Sequence, residues 1–268
     1  MSTRDLTEFE DNWPTVMGGV FAGERVVFRG ADLFHNLCDM RWMELYLYGI
    51  TGRRFDEKQV LFFESMWPIA TSYPDPRIWN NRIASLAGTT RSTATLGISA
   101  ATAVSEAKLF GRQIDIRAID FLLRARKAVA DGVSSLEEVI LDEMQKKRGI
   151  AGFRRPLINA DERIAPFLAI ARKFGYEHRP HLQFAFEVER WLLEKRYRLK
   201  MNAAAFGAAL AADQGLSARE YYLFQTPSFI AGMLPCYIEA SERPEGSFLP
   251  LRCTRIEYTG SAPRKWEK

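Results

Sequence analysis

The chain is poor in the side chains that most often carry catalysis, metal binding or crosslinking. Its 268 residues include three histidines and three cysteines. Cys38, Cys236 and Cys253 stand far apart, without the spacing of a metal site or a redox pair. That usage fits a reducing compartment, so a cytoplasmic location is expected. His35, His178 and His181 lack partner spacing for a zinc site or a nucleophile pair, so capping, surface or structural roles are expected for them and no metal. No apolar run approaches the roughly 18 residues of a membrane span. The polar, acidic start Met1–Pro14 does not read as a signal peptide. Internal repeats are lacking, and strand-like pieces are few: Val26-Val27-Phe28 and the stretch 252–260.

What is present is a globular composition, 47% hydrophobic and 26% charged, enough to build a full core. The formal charge is +4. Its densest basic clusters are Lys146-Lys147-Arg148 with Arg154-Arg155, and the run 195–200. These are either solvated helix ends or an anion site for the phosphates of a nucleotide-like cofactor. No recognised nucleic-acid module accompanies them, so neither nucleic acid nor membrane is an expected partner.

The hydrophobic pattern is helical almost throughout, and the fold class read from it is all-α. Asp39–Leu47 repeats at helical spacing and stops at Gly52. Asp56 reads as the N-cap of 57–68, with Pro68 marking a kink or an end. A turn at 73–76 leads into a helix over 77–87. Residues 92–107 are rich in alanine, serine and threonine and nearly uncharged, which predicts a centrally buried helix or one at a subunit interface. Amphipathic helices follow over 116–130 and 135–145, the second opened by Ser134-Ser135 with Glu137-Glu138 in its first turn. Further helices are expected over 164–174, 182–196, 203–212, 218–224 and 228–240.

Gly152-Phe153-Arg154-Arg155-Pro156-Leu157 followed by Asp161-Glu162-Arg163 resembles the active-site loop of the citrate synthase and citryl-CoA lyase family, Gly-Phe-Gly-His-Pro-Leu-Tyr and then Asp-Pro-Arg. Four further pieces occur in the family's order. Val27-Phe28-Arg29-Gly30 is similar to its Tyr-Arg-Gly segment, and Met43–Gly52 to its helix ending in Leu-Leu-x-Gly. Arg82-Ile83-Ala84-Ser85 matches Arg-Val-Ala-Ser, and Tyr258-Thr259-Gly260 with Arg252 or Arg255 matches its terminal motif. The resemblance implies a citrate synthase-like all-α homodimer of the short, citryl-CoA lyase length. It implies a large helical domain (1–149 and 226–268), a smaller inserted domain (150–225), and 92–107 packing on its copy.

The family's chemistry needs a base for an acyl proton and donors for two carbonyl oxygens, normally a carboxylate and two histidines. Carried over position by position, all are replaced. Phe110 stands for the histidine of Leu-His-Gly, Arg155 for the loop histidine, Ala204 for the aspartate, and Ser72 for a further substrate-binding histidine. Arginine donates hydrogen bonds but hands over no proton. The carboxylate-binding arginines persist as Arg163 and as Arg252 or Arg255. Asp75, Glu106 and Asp161 are possible partners for these guanidiniums. Replacement catalytic groups are Arg155 and Arg163, with Glu106, Lys108, Tyr73 or Asp75 as base. Ser72, Phe110, Arg163, Ala204, Arg252 and Arg255 would line the substrate, and Gly152, Phe153 and Arg154 the coenzyme. The implied function is a lyase or acyltransferase making or breaking a carbon–carbon bond beside a CoA thioester, on a substrate other than citrate, with no permanently bound cofactor. The alternative is a catalytically silent homologue, a regulatory or structural subunit or a binder of an anionic metabolite.

Overall fold

The computed structural model describes residues 7, 10–11, 14–108, 111–155, 160–245, 247 and 253–262. It opens with an antiparallel meander of β1 (Gly18–Phe21), β2 (Arg25–Phe28) and β3 (Ala31–Asp32), paired Gly18↔Phe28 and Val27↔Asp32. Val26–Phe28 is thus a strand as expected, while the 252–260 stretch contains a 3₁₀ turn at Cys253–Arg255 instead of a strand.

Twelve α-helices have described bounds. They are α1 (Trp42–Thr51), α2 (Glu57–Ala70), α3 (Trp79–Thr89), α4 (Ala94–Val104), α5 (Gln113–Ala130), α6 (Leu136–Lys147), α7 (Ile164–Lys173), α8 (Pro180–Glu194), α9 (Ala203–Asp213), α10 (Ala218–Phe224), α11 (Thr226–Ile230) and α12 (Met233–Glu242). The starts follow from local chemistry. Asp56 with Gln59, Ser135 with Glu138, and Ser217 with Glu220 each form a reciprocal capping box. Gly52 ends α1 in the left-handed region, φ 71°. Pro68 lies inside α2, which runs on to Ala70.

The chain divides into two compact units, Met1–Thr71 with Ser105–Phe229, and Ser72–Val104 with Ile230–Lys268. The first is built around α9, whose residues from Ala205 to Ala212 are all buried. Small side chains let α5, α7 and α8 close on it from several sides, and Phe167 stacks on Phe206 at 5.7 Å between ring centroids. Because α9 is enclosed this way, residues 150–225 pack as part of this unit. The second unit packs α3, α4 and α12 together.

The central burial expected of 92–107 falls on α9 instead. In α4 only Gly97 and Ala101 are buried, and Leu96 is 65% exposed. Both helices are alanine-rich; α4 is covered on one side by α3, where a side chain at Gly97 would meet Ala87 Cβ at 2.5 Å, and is open on the other.

Candidate active site

The loop before α7 and the start of α9 form one polar assembly. Gly152 adopts φ +85°, and a Cβ there would lie 2.5 Å from Ala205 Cβ, so only glycine lets the loop approach α9 this closely. The Gly152 carbonyl accepts the Asn202 N–H at 2.8 Å. Asn202 caps α9 by accepting the Ala204 N–H at 2.9 Å, and its Nδ2 donates to the Arg154 carbonyl at 2.8 Å. Asp161, with a side chain 1% exposed, accepts the Ala203 N–H at 2.9 Å. The same carboxylate takes two prongs of Arg163, Nε at 3.0 Å and Nη2 at 2.9 Å. Burial by itself would raise the Asp161 pKa, but the Arg163 guanidinium and the two backbone N–H groups hold it below the ordinary value.

Arg155 is half-buried. It pairs with Glu162, donating from Nη2 to Oε1 at 3.0 Å and from Nη1 to Oε2. Nη1 also donates to the Ala160 carbonyl at 3.2 Å and lies 3.8 Å from Asp161. The loop guanidiniums of Arg155 and Arg163 therefore meet around Asp161, whereas Glu106 and Asp75 serve other arginines. Phe153 is fully buried in the core, so its part is packing, while Arg154 is exposed. Ala204 sits half-buried in the first turn of α9.

Glu106 accepts from Arg112 Nη1 at 2.7 Å and from the Tyr222 hydroxyl at 2.5 Å. That hydrogen bond, more than burial, raises the Tyr222 pKa. Arg112 is buried, stacks on Tyr222 and donates to the Tyr222 carbonyl at 2.6 Å and the Thr226 hydroxyl at 2.9 Å. Glu106 thus balances a buried cation. Lys108 is exposed. Asp115 lies half-buried in the first turn of α5. Burial pushes its carboxyl up to about 7, against the opposing pull of Arg163 and then Arg112. Sequence reasoning started this helix at Ile116 and passed over Asp115. The signal was available: residue 115 lies three, four and seven positions before Ala118, Ile119 and Leu122, all buried on the inward stripe.

The second unit holds Ser72, Tyr73, Asp75 and Arg255. The Ser72 hydroxyl accepts the Gly232 N–H at 3.1 Å, and the Tyr73 carbonyl accepts from Asn81 Nδ2 at 2.5 Å. Tyr73 is 39% exposed. Asp75 is chelated by Arg77, Nη2 to Oδ2 at 2.6 Å, which holds its pKa at about 2 and leaves it little basicity. Arg255 is exposed. Phe110 and Arg252, and the Pro156–Asn159 part of the loop, lie outside the described residues.

The basic clusters 146–148 and 195–198 are exposed around helix ends. His35 and His178 are exposed, and His181 lies at the start of α8. There the Asp213 carboxylate accepts the His181 and Leu182 N–H groups at 2.8 and 3.0 Å and contacts His181 Nδ1 at 2.8 Å. Among the described residues no group of three or more His, Cys, Asp or Glu could hold a metal ion, and no helix is long and apolar enough to cross a membrane.

No family model matches the sequence, and no curated protein matches it. Solved structures do match the fold. The citryl-CoA lyase of Hydrogenobacter thermophilus superposes with a TM-score of 0.81 at 19% identity, covering 95% of this chain and 97% of that one. The ATP citrate lyase of Methanothrix soehngenii, solved with citrate and coenzyme A, gives 0.69 at 17% identity over 98% of this chain and 45% of that one. The citrate synthase of Thermoplasma acidophilum, solved with carboxymethyl coenzyme A and oxaloacetate, gives 0.64 at 18% identity over 85% and 59%. The chain has the citrate synthase-like fold, at the length of a citryl-CoA lyase.

Proposed function

We propose that the protein is an enzyme acting on a CoA thioester, making or breaking a carbon–carbon bond beside the thioester carbonyl, as a lyase or acyltransferase. The observation that carries this reading is Arg163, the position of the family's carboxylate-binding arginine. It is held by Asp161 against the start of α9 in a fold that matches a citryl-CoA lyase over 95% of the chain. A two-pronged pair to a buried carboxylate fixes the guanidinium's direction, which is what recognition of a substrate carboxylate needs. Glu162 and Asp161 already offset much of the charge of Arg155 and Arg163, so the ligand is a modest anion and not a polyphosphate cluster at this point. Replacement of the family's histidines and aspartate at Ser72, Phe110, Arg155 and Ala204 argues for a substrate other than citrate.

The same reading includes a homodimer with α4 at its interface, a cytoplasmic location, and movement of 150–225 as a closing segment. In support of the dimer, α4 exposes Thr95, Leu96, Ser99, Ala100, Ala103 and Val104 with no charge among them. Titration calorimetry with CoA and a panel of acyl-CoAs tests the central claim. Tight binding of CoA or one of the panel is expected, and no binding across the panel overturns it.

Ala204 at the base position favours a second reading, a silent homologue that binds an anionic metabolite. Turnover of any acyl-CoA that depends on Arg155 and Arg163 excludes it.

A further inference from the structure

We propose that the hairpin of α7 and α8 carries a second ligand site, for a small zwitterion with an apolar side chain, the class of the free aliphatic and aromatic α-amino acids. The observation behind it is a groove of about 400 Å³ between the two helices, lined by Leu168, Arg172, Glu177, His178, Gln183 and Phe186. That volume suits a small molecule. The site stands apart from the Asp161–Arg163 assembly, because Arg172 lies in the last turn of α7 and Arg163 at its N-cap. It therefore does not depend on the reading of the chain as an enzyme on a CoA thioester.

The sequence builds the groove locally. Gly175, at φ +68°, reverses the chain after α7. The Tyr176 N–H donates to the Ala171 carbonyl at 2.7 Å and the Gly175 N–H to the Arg172 carbonyl at 2.9 Å, which closes the helix end. Tyr176 is buried edge-on to Phe62 at 4.8 Å and anchors the turn. Pro180 then opens α8. Glu177 and His178 lie between these two fixed points, and Gln183 Nε2 donates to the Glu177 carbonyl at 2.7 Å, tying the turn to α8. Leu168 and Arg172 stand one turn apart on α7, as do Gln183 and Phe186 on α8, so each helix gives the groove one apolar and one polar side chain. The apolar two are held in place: Leu168 packs on the core, and Phe186 meets Phe206 edge-on at 6.0 Å.

The groove holds charges of both signs that do not pair with each other. Among the described residues the Arg172 guanidinium has no hydrogen-bond or ion-pair partner. Glu177 Oε2 is buried without a donor. Its Oε1 lies 3.8 Å from Nε2 of the exposed His178, beyond hydrogen-bonding distance. A ligand with a single charge would serve one of these groups and oppose the other. A ligand with a carboxylate and an ammonium serves both. The carboxylate matches the planar fork of Arg172, and the ammonium gives Glu177 a cation, whose effect reaches both oxygens because they share the charge. Leu168 and Phe186 would cover an apolar side chain, whereas a polar one would be left facing them without partners.

The test is titration calorimetry with L-leucine and L-phenylalanine on wild type, Arg172→Gln and Glu177→Gln. Wild type is expected to bind at least one of the two in the millimolar range or tighter. Each variant should bind it about tenfold more weakly or worse, since each removes one charge-assisted contact. The analogues 4-methylpentanoate and 3-methylbutylamine keep the leucine frame with one charge each, and on wild type both should bind about tenfold more weakly than leucine. They test the site even if a variant folds poorly. No saturable binding of either amino acid overturns the proposal. So does full affinity in either variant, or a singly charged analogue that binds as well as the amino acid.

Discussion

Asp161 and Arg163, two residues apart, form a two-pronged ion pair at 3.0 and 2.9 Å, and the same carboxylate accepts the N–H of Ala203, 42 residues further along the chain. One buried acid thereby ties the loop's arginine to the first turn of α9. The arginine's direction and the first turn of the helix depend on a single side chain, so the carboxylate binding proposed for Arg163 would be coupled to stability at this point.

Asp161→Ala should destabilise the protein by roughly 1–3 kcal/mol, for the hydrogen bonds lost by the Ala203 N–H and by the half-buried Arg163, and should weaken the proposed ligand binding with it. Urea unfolding and calorimetry would measure the two effects. The pH dependence has a definite sign. The folded pKa of Asp161 is depressed below the unfolded value of about 3.9, so its contribution is full above that pH and is lost as pH falls through the folded value. Asp161→Asn should therefore lose less stability than wild type between pH 5 and 3.

Gly152→Ala should cost roughly 2–4 kcal/mol. It forces a left-handed φ on alanine and drives a methyl into Ala205. Thermal unfolding should show the loss, and an unchanged midpoint would mean that the loop does not approach α9 as described.

Glu106→Gln should destabilise by roughly 1.5–3 kcal/mol, because the buried Arg112 loses its charged partner. If Glu106 were instead the catalytic base, the variant would be normally stable and inactive. Denaturation and acyl-CoA turnover measured side by side separate the two roles.

Arg155→Ala and Arg163→Ala should differ. Arg155 pairs with the exposed Glu162, so loss of that pair should change stability by about 1 kcal/mol or less. Arg163→Ala leaves Asp161 buried and short of its partner, and should reduce both stability and affinity for an acidic acyl-CoA by tenfold or more. Equal effects on affinity would show that the pair acts as one anion site.

Leu96→Glu places a charge on the uncharged outer face of α4. Analytical ultracentrifugation should find wild type dimeric and the variant shifted to monomer. A stable wild-type monomer would count against the interface.

The sequence by itself determined the all-α class, because the 3.6-residue periodicity of an amphipathic helix survives any tertiary arrangement. It also determined the start at Asp56 and placed another at Ser134-Ser135, which the structure narrows to Ser135, because a capping box is closed by residues three apart. The loop's likeness to the family was legible through residue types such as Gly152 and Arg163, whereas the approach of Gly152 to Ala205 and the tie from Asp161 to Ala203 were not. Contacts between distant segments were not legible. Alanine-rich composition alone could not say whether 92–104 or 203–213 is enclosed, since that depends on which helices surround each. The partner of Glu106 proved to be Arg112, with Tyr222 over a hundred residues away. The raised pKa of Asp115 was not legible either, since desolvation belongs to the tertiary environment and not to the residue.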